Sequence, residues 1–375
     1  MILKIKKETI LRALLAASKA LPSKTPLEAL YQIKFEATEA GLTVTCSNAD
    51  LIIKHFTAAS TEALIIEKPG VALLPGKQLV ELMKRFKEGW ISFSFVEGAV
   101  LVKGGNSKFT LKSGDVNTYP QLLDDTKEPL QRLTVSQSQF VQSLKETIPF
   151  TSNLENRPAL TAVSFRVTST GWICTSTDSF RLSRVHVQTD TLASAQEVHV
   201  LIPKNSLLEV TKLFASTKEE RMLELEFYSN QLLFKTPELI VCSRLIGETY
   251  PDTDAFIPKQ FNQSILMNRA ELLEVIDRLL LLVDNQDNVF LETKDSSTLR
   301  LRTSQEVGEA EETLSCRGLS QNIQCCFNGH FLKEALQTLS GTDVQLDFVE
   351  SLRPFLLHEP ENVESIRLIV PKRMA

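Results

Sequence analysis

The chain writes one helical segment three times. LLPGKQLVELMKRF starts at Leu73, LIPKNSLLEVTKLF at Leu201 and CCFNGHFLKEALQTL at Cys325. Pro203 follows Pro75 by 128 residues and Asn328 follows Pro203 by 125, so each repeat is the size of a domain. A solenoid repeat, at roughly 20 to 50 residues, is much shorter. Leu79, Leu82, Met83 and Phe86 fall at i, i+3, i+4 and i+7, which is one face of a helix. Leu207, Val210, Thr211 and Phe214 repeat that stripe, and Leu332, Ala335, Leu336 and Leu339 repeat it again.

Other landmarks keep the register. Asp50 in SNADL and Asp178 in STDSF lie 128 apart, each after a strand-like alternation, and Thr303 with Ser304 is expected to hold that place in the third copy. Tyr119–Pro120 closes the first repeat and Tyr250–Pro251 the second. Each repeat opens with a helix, from Glu8, Ser138 and Arg269. The 375 residues therefore divide into three domains, 1–125, 126–255 and 256–375, each long enough to bury a core.

Within a repeat, a helix precedes short alternating strands, as in WISFSFVEGAVLVKGGNSKFTLK from Trp90. That order predicts α+β domains with antiparallel sheet and two helices gathered on one side. Gly104 and Gly105 read as a hairpin turn between strands 99–103 and 108–112. No apolar run reaches the roughly 18 residues of a membrane span, and a cytoplasmic protein without membrane attachment is expected. Six cysteines show no CxxC pair and no disulfide spacing, which fits that compartment. Cys325 and Cys326 are adjacent on a strand, so they point to opposite faces and make a poor metal pair. Phosphate-loop, dinucleotide, zinc-protease and serine-hydrolase motifs are absent, so no catalytic residue, metal or cofactor is assigned. Asp178 with Arg181 reads either as a charged reactive pair or as a turn aspartate with an arginine packed beside it.

The 41 Lys and Arg against 46 Asp and Glu give a net charge of −5, which argues against a protein coated in basic surface. Distribution matters more than the total. Lys84 and Lys212 occupy one repeat position on the polar side of equivalent helices, with Lys77 and Lys204 near the helix starts. Spacing alone leaves open whether this is a solvated face or a nucleic-acid surface.

The threefold repeat, STDSFRLSRV from Ser176, ETYPDTDAFIP from Glu248, CFNGHFL from Cys326 and the terminal LIVPKRM from Leu368 together resemble the beta subunit of bacterial DNA polymerase III, the sliding-clamp family. The resemblance spans essentially the whole chain. It implies repeated clamp domains, with antiparallel sheets outside and paired helices lining the inner face of a head-to-tail homodimeric ring around double-stranded DNA. Such a ring tethers the polymerase alpha subunit, the clamp loader and other proteins with a clamp-binding motif, and has no reaction of its own. A trimer of two-domain chains is the alternative ring, and an enzyme with an unrecognised site between domains is the alternative class.

Carried over position by position, the resemblance assigns DNA contact to Lys24, Lys77, Lys84, Arg157, Lys204 and Lys212. It assigns a partner-peptide pocket to Leu160, Thr177, Ser179, Phe180, Arg181, Leu182, Pro251, Phe256, Asn328, Phe331, Leu352 and Pro354. The C-terminal run Leu368, Ile369, Val370, Pro371, Lys372, Arg373 and Met374 completes that pocket. Phe180 stands where many relatives have histidine, Ser179 where some have glycine and Ala255 where some carry a basic residue, which implies a more apolar pocket. The dimer contact falls on Phe109, Leu111, Leu280 and Leu281, residues that also suit a core.

Overall fold

A computed structural model describes residues 1–96, 98–120, 128–189, 197–215, 220–283, 287–306 and 308–373. The expected boundary at 125 and the C-terminal Met374 lie outside the described residues. Each repeat has the two helices its sequence predicts: α1 Lys7–Ala17 and α2 Gly76–Arg85, α3 Gln137–Thr147 and α4 Lys204–Leu213, α5 Arg269–Leu279 and α6 Gly329–Gln337. The apolar stripe is what packs. Leu79, Met83, Leu207, Val210, Leu332, Ala335 and Leu336 are wholly buried, while Leu82 stays partly exposed. Side chains cap both helices of the third repeat: Asn268 accepts from Glu271 N, and Asn328 accepts from His330 N and Phe331 N, supplying acceptors for otherwise orphaned amides.

The described strands form four antiparallel sheets. After the first helix of a repeat come three consecutive strands: Gln32–Thr38, Gly41–Ser47 and Leu51–Ala58, then Ala162–Thr168, Gly171–Thr177 and Arg181–Gln188, then Asn288–Asp295, Thr298–Gln305 and Gly308–Ser315. Three more follow the second helix: Trp90–Val96, Ala99–Gly104 and Ser107–Lys112, then Met222–Phe227, Gln231–Lys235 and Leu239–Arg244, then Asp343–Phe348, Phe355–Glu359 and Asn362–Ile369. Two sheets have eight strands because the last strand of one triplet pairs with the last strand of another. Leu239–Arg244 runs antiparallel to Leu51–Ala58 with Cys242 opposite Ile52, and Asn362–Ile369 to Arg181–Gln188 with Leu368 opposite Leu182. Ser107–Lys112 and Gly308–Ser315 hold the corresponding ranks, and each is the edge of a smaller sheet, of five and four strands.

The chain forms two compact units, residues 1–138 with 205–245 and residues 139–204 with 246–375. The middle repeat is thus shared between units, because each of its strand triplets is annexed by a neighbour's sheet. In the second unit, α5 and α6 bury Leu272, Val275, Ile276, Leu332 and Leu336 against Ile265, Leu346, Leu291 and Leu301, drawn from strands of both its sheets. The repeat shows at single residues too. Tyr119 packs on Leu30 and Leu73, and Tyr250 on Leu160 and Leu201. Gly171, at φ +147°, turns so tightly that a Cβ would lie 1.8 Å from the Val187 carbonyl oxygen.

Gly105 and Asn106 turn the hairpin between Ala99–Gly104 and Ser107–Lys112, as expected. The landmark aspartates need a correction. Asn48 Oδ1 accepts from Asp50 N and Leu51 N, as Asp178 Oδ1 accepts from Phe180 N and Arg181 N, and the next residues, Ala49 and Ser179, both have φ near +80°. The partner of Asp178 is therefore Asn48, two residues before Asp50; either side chain can accept the two turn amides. Thr303 and Ser304 lie inside a strand, and that hairpin turns later, at Glu306. All six cysteines are free and buried as small apolar groups. No helix among the described residues is long and apolar enough to cross a membrane.

His358 is 3% exposed, with Nε2 2.9 Å from Asp347 Oδ2 and Nδ1 2.9 Å from the Glu359 carbonyl oxygen. Both ring nitrogens face acceptors, so the imidazolium is the form that satisfies them. Burial alone would lower the His358 pKa, yet the Asp347 carboxylate and the Glu359 carbonyl raise it. A raised folded-state pKa contributes stability that is fully present below the ordinary value of about 6.5 and is lost as pH climbs through the raised value. The His358 contribution to the urea midpoint should therefore fall as pH rises above about 6.5, and His358→Gln should flatten that part of the pH dependence relative to the parent protein.

Candidate functional site

A cavity of about 670 Å³ opens in the second unit. Its floor is apolar: Leu160, Leu182 and Leu368 are nearly fully buried, and Tyr250 packs against Leu160 from below. Val370, Pro251 and Pro354 extend the wall, and Phe256 stands at the rim with 63% of its surface exposed. Arg184 fixes the segment that carries Phe256 by donating to Thr253 Oγ1 at 2.8 Å and pairing with Asp254 at 2.6 Å. Glu248, also in the wall, accepts from Ala159 N at 3.1 Å and so holds the turn 156–160 in place.

The opposite wall is the hairpin turn between Gly171–Thr177 and Arg181–Gln188. Thr177 Oγ1 accepts from Ser179 N and donates to the Arg181 carbonyl at 2.6 Å, while Asp178 takes the next two amides. These bonds hold Ser179 at φ +82°, a conformation that disfavours a side chain by about 1 to 2 kcal/mol and that glycine adopts freely. Arg181 is the centre of this wall. Its Nε donates to Asp178 at 2.9 Å, one terminal nitrogen to Glu334 at 2.5 Å and the other to the Pro149 carbonyl at 3.0 Å. Its guanidinium also lies 4.4 Å from the Phe331 ring centre. The Asp178–Arg181 pair is therefore a turn cap with a packed arginine; it occupies its own hydrogen bonds within the protein.

The chain matches, over residues 1–123, 134–252 and 254–373, the N-terminal, central and C-terminal domain models of the DNA polymerase III beta subunit. The chain belongs to the DNA polymerase III beta subunit family. It is 27% identical over 98% of both chains to the beta sliding clamp of Bacillus subtilis strain 168, and 28% over the same share to that of Staphylococcus aureus strain Mu50. Its fold superposes on the sliding clamp crystal structure from Bacillus subtilis with a TM-score of 0.95 at 26% identity, and on the beta subunit from Streptococcus pyogenes with 0.93 at 27%, each over 100% of both chains. Its function is that of a sliding clamp, a processivity factor without catalysis of its own, and its fold is three α+β clamp domains.

Among the expected pocket residues, the cavity is lined by Leu160, Thr177, Ser179, Arg181, Leu182, Pro251, Phe256, Pro354, Leu368 and Val370. The others sit elsewhere. Phe180 stands beside it, 62% exposed, and Leu352 is 59% exposed in the turn before Pro354. Asn328 caps α6, Phe331 backs Arg181, and Ile369 is wholly buried in the core. Lys372, followed by Arg373, runs along Gln324–Asn328: its N donates to Cys326 O and its Nζ to Asn288 Oδ1. Pro371 to Arg373 do not line this cavity. Sequence reasoning missed Asn156, Pro158, Ala159, Glu248 and Thr253, although ETYPDTDAFIP contains the last two.

The six cations assigned to DNA separate into two groups. Lys24, Lys77, Lys84, Arg157 and Lys212 are exposed, and Lys204 is not. Lys84 is held by Glu81 at 2.7 Å and Lys212 by Glu209 at 2.6 Å, so the carboxylate repeats along with the lysine. Arg157 lines the cavity and donates to Ser179 Oγ at 3.3 Å. Lys204 is half-buried, bonded to Asn153 Oδ1 at 2.8 Å, with its pKa lowered by burial and by Arg181. Of the residues assigned to the dimer contact, Phe109 is 41% exposed on the edge strand Ser107–Lys112, Leu111 is half-buried there, Leu281 is 80% exposed, and Leu280 packs partly on the core.

Removing Arg181 deprives Asp178 and Glu334 of the cation hydrogen-bonded to both and takes the guanidinium off the Phe331 ring. Arg181→Met should cost about 3 kcal/mol in chemical denaturation, and Arg181→Lys should recover only part, because a single ammonium nitrogen cannot reach acceptors spread around three guanidinium nitrogens or stack flat on a ring.

Proposed function

We propose that two copies of the chain close head to tail around double-stranded DNA, and that the cavity takes a short apolar peptide from the polymerase III alpha subunit, the clamp loader and other proteins with a clamp-binding motif. The strand junctions carry this reading. In two places the last strand of a first-helix triplet pairs with the last strand of a second-helix triplet, and the two strands of those ranks left at sheet edges are Ser107–Lys112 and Gly308–Ser315. A second copy supplies each with its partner, giving a contact that joins unlike surfaces and closes after two subunits. Charge favours the match: Lys108 and Lys112 are exposed on one edge, Glu309 and Glu311 on the other. Phe109 and Leu111 then gain apolar neighbours in Leu280 and Leu281. The domains end near residues 125 and 255, and the protein works in the cytoplasm, where its DNA is.

Sliding requires attraction without base reading, and lysines meeting phosphates provide it. The cavity's apolar floor suits a leucine or phenylalanine anchor worth about 1.5 to 3 kcal/mol each, and two or three anchors, less the cost of ordering, suit exchangeable partners near about −8 kcal/mol.

Retention on nicked circular duplex, loaded by a clamp loader, tests encirclement: the protein should stay until the circle is cut and then leave. Equal loss from circle and linear DNA sinks the ring. Phe109→Asp with Leu111→Asp should sediment as a folded monomer; an undiminished dimer would place the contact elsewhere. For the cavity, a peptide of the form Gln, two variable residues, Leu and Phe should bind Phe256→Ala about five- to hundredfold more weakly than the parent by calorimetry, and Phe180→Ala less affected. Equal affinity for all three proteins would mean that partners dock away from this cavity.

A further inference from the structure

Superposing the repeats by their buried helix positions exposes a charge gradient. Ile10, Ala13, Leu14 and Ala17 of α1 correspond to Phe140, Ser143, Leu144 and Thr147 of α3 and to Leu272, Val275, Ile276 and Leu279 of α5, all buried. In that register the outward position held by Arg12 becomes Gln142 in the second repeat and Glu274 in the third. On the other helix, Lys77 becomes Asn205 and then His330, and Lys84 becomes Lys212 and then Gln337. All are exposed. Three equivalent outward positions therefore carry three cations in the first repeat, one in the second, and one carboxylate with no lysine or arginine in the third.

The neighbouring charges deepen the contrast. On α1 the exposed residues Glu8, Arg12 and Leu15 lead to Lys19 at helical spacing, whereas α5 presents Glu271, Glu274 and Asp277 against one exposed cation, Arg278, which is shared between Glu274 at 3.8 Å and Glu312 at 2.6 Å. Glu81, Glu209 and Glu334 share one repeat position, so the carboxylate that holds Lys84 and Lys212 recurs in the third repeat, where Gln337 replaces the lysine and Arg181 of the cavity wall holds the glutamate instead.

We infer that the first repeat supplies most of the phosphate contact, through Arg12 and Lys77 beside Lys84, and that Glu274 keeps the third repeat off the DNA backbone. The inference rests on the reading that these helices face the duplex. Its partner is the phosphate backbone of duplex DNA, irrespective of base sequence. A uniform basic lining would draw phosphates equally at every repeat; this one draws them to one third of each chain.

The test titrates full-length protein onto a short fluorescent duplex at a series of salt concentrations. Arg12→Gln with Lys77→Gln should weaken binding and shallow the salt slope by about 0.9 for each phosphate that is no longer neutralised. Glu274→Gln should tighten binding at every salt concentration. Gln142→Glu should weaken binding less than Arg12→Gln does. An unchanged slope in the Arg12 and Lys77 variant, or no gain from Glu274→Gln, overturns the assignment. Blocking both duplex ends with streptavidin separates this failure from failure of the ring: a protein that threads loses binding to the blocked duplex, and one that binds it undiminished does not encircle DNA, which overturns both readings.

Discussion

Everything else in this fold depends on strand pairing between repeats. A sheet edge exposes a row of amides and carbonyls, and a domain built only of three-strand runs would carry many such edges. Pairing Leu239–Arg244 with Leu51–Ala58, and Asn362–Ile369 with Arg181–Gln188, removes four of them and makes each eight-stranded sheet continuous. The middle repeat bears the geometric consequence, because its two halves belong to different compact units. The cavity follows from the second of these junctions. Leu182 and Leu368 stand opposite each other across it, and both become cavity floor.

The elements of the fold were legible because the period was long and the stripe strong. Leu79 and Met83, Leu207 and Val210, and Leu332 and Leu336 recur at helical spacing, and each proved to be core. The antiparallel hairpins were legible from alternation and from the Gly104–Gly105 pair, although the turn itself falls one residue later, at Gly105 and Asn106. The partition of the middle repeat was not, since nothing in one strand's composition states which neighbour will accept its edge. The Asp50 to Asp178 match failed for a related reason. A turn is defined by which side chain caps which amides, and both Asn48 and Asp50 can do that work; only the bonds distinguish them.

The site was legible in outline through its resemblance to a family, and less so in detail. Leu160, Leu182, Pro251 and Leu368 come together as expected, while Phe180 and Pro371 do not line the cavity although adjacent residues do. Neighbours along a strand or turn point to different sides, so a correct segment still yields some wrong side chains. The basic face shows the same limit. Lys84 and Lys212 were visible as repeated lysines, but their glutamate partners change what they can offer.

Those glutamates bear on friction. A bare ammonium that grips a phosphate must surrender the whole interaction before it can move to the next. Lys84 and Lys212 each have a carboxylate at 2.7 and 2.6 Å; under the proposal that these lysines face DNA, leaving one phosphate would cost an exchange of anions instead of a return to water. Exposed pairs of this kind are worth about 0 to 1 kcal/mol, comparable to thermal energy. A surface built from such pairs presents a moving polyanion with shallow, closely matched wells, and drag along the backbone is set by how readily glutamate and phosphate trade places.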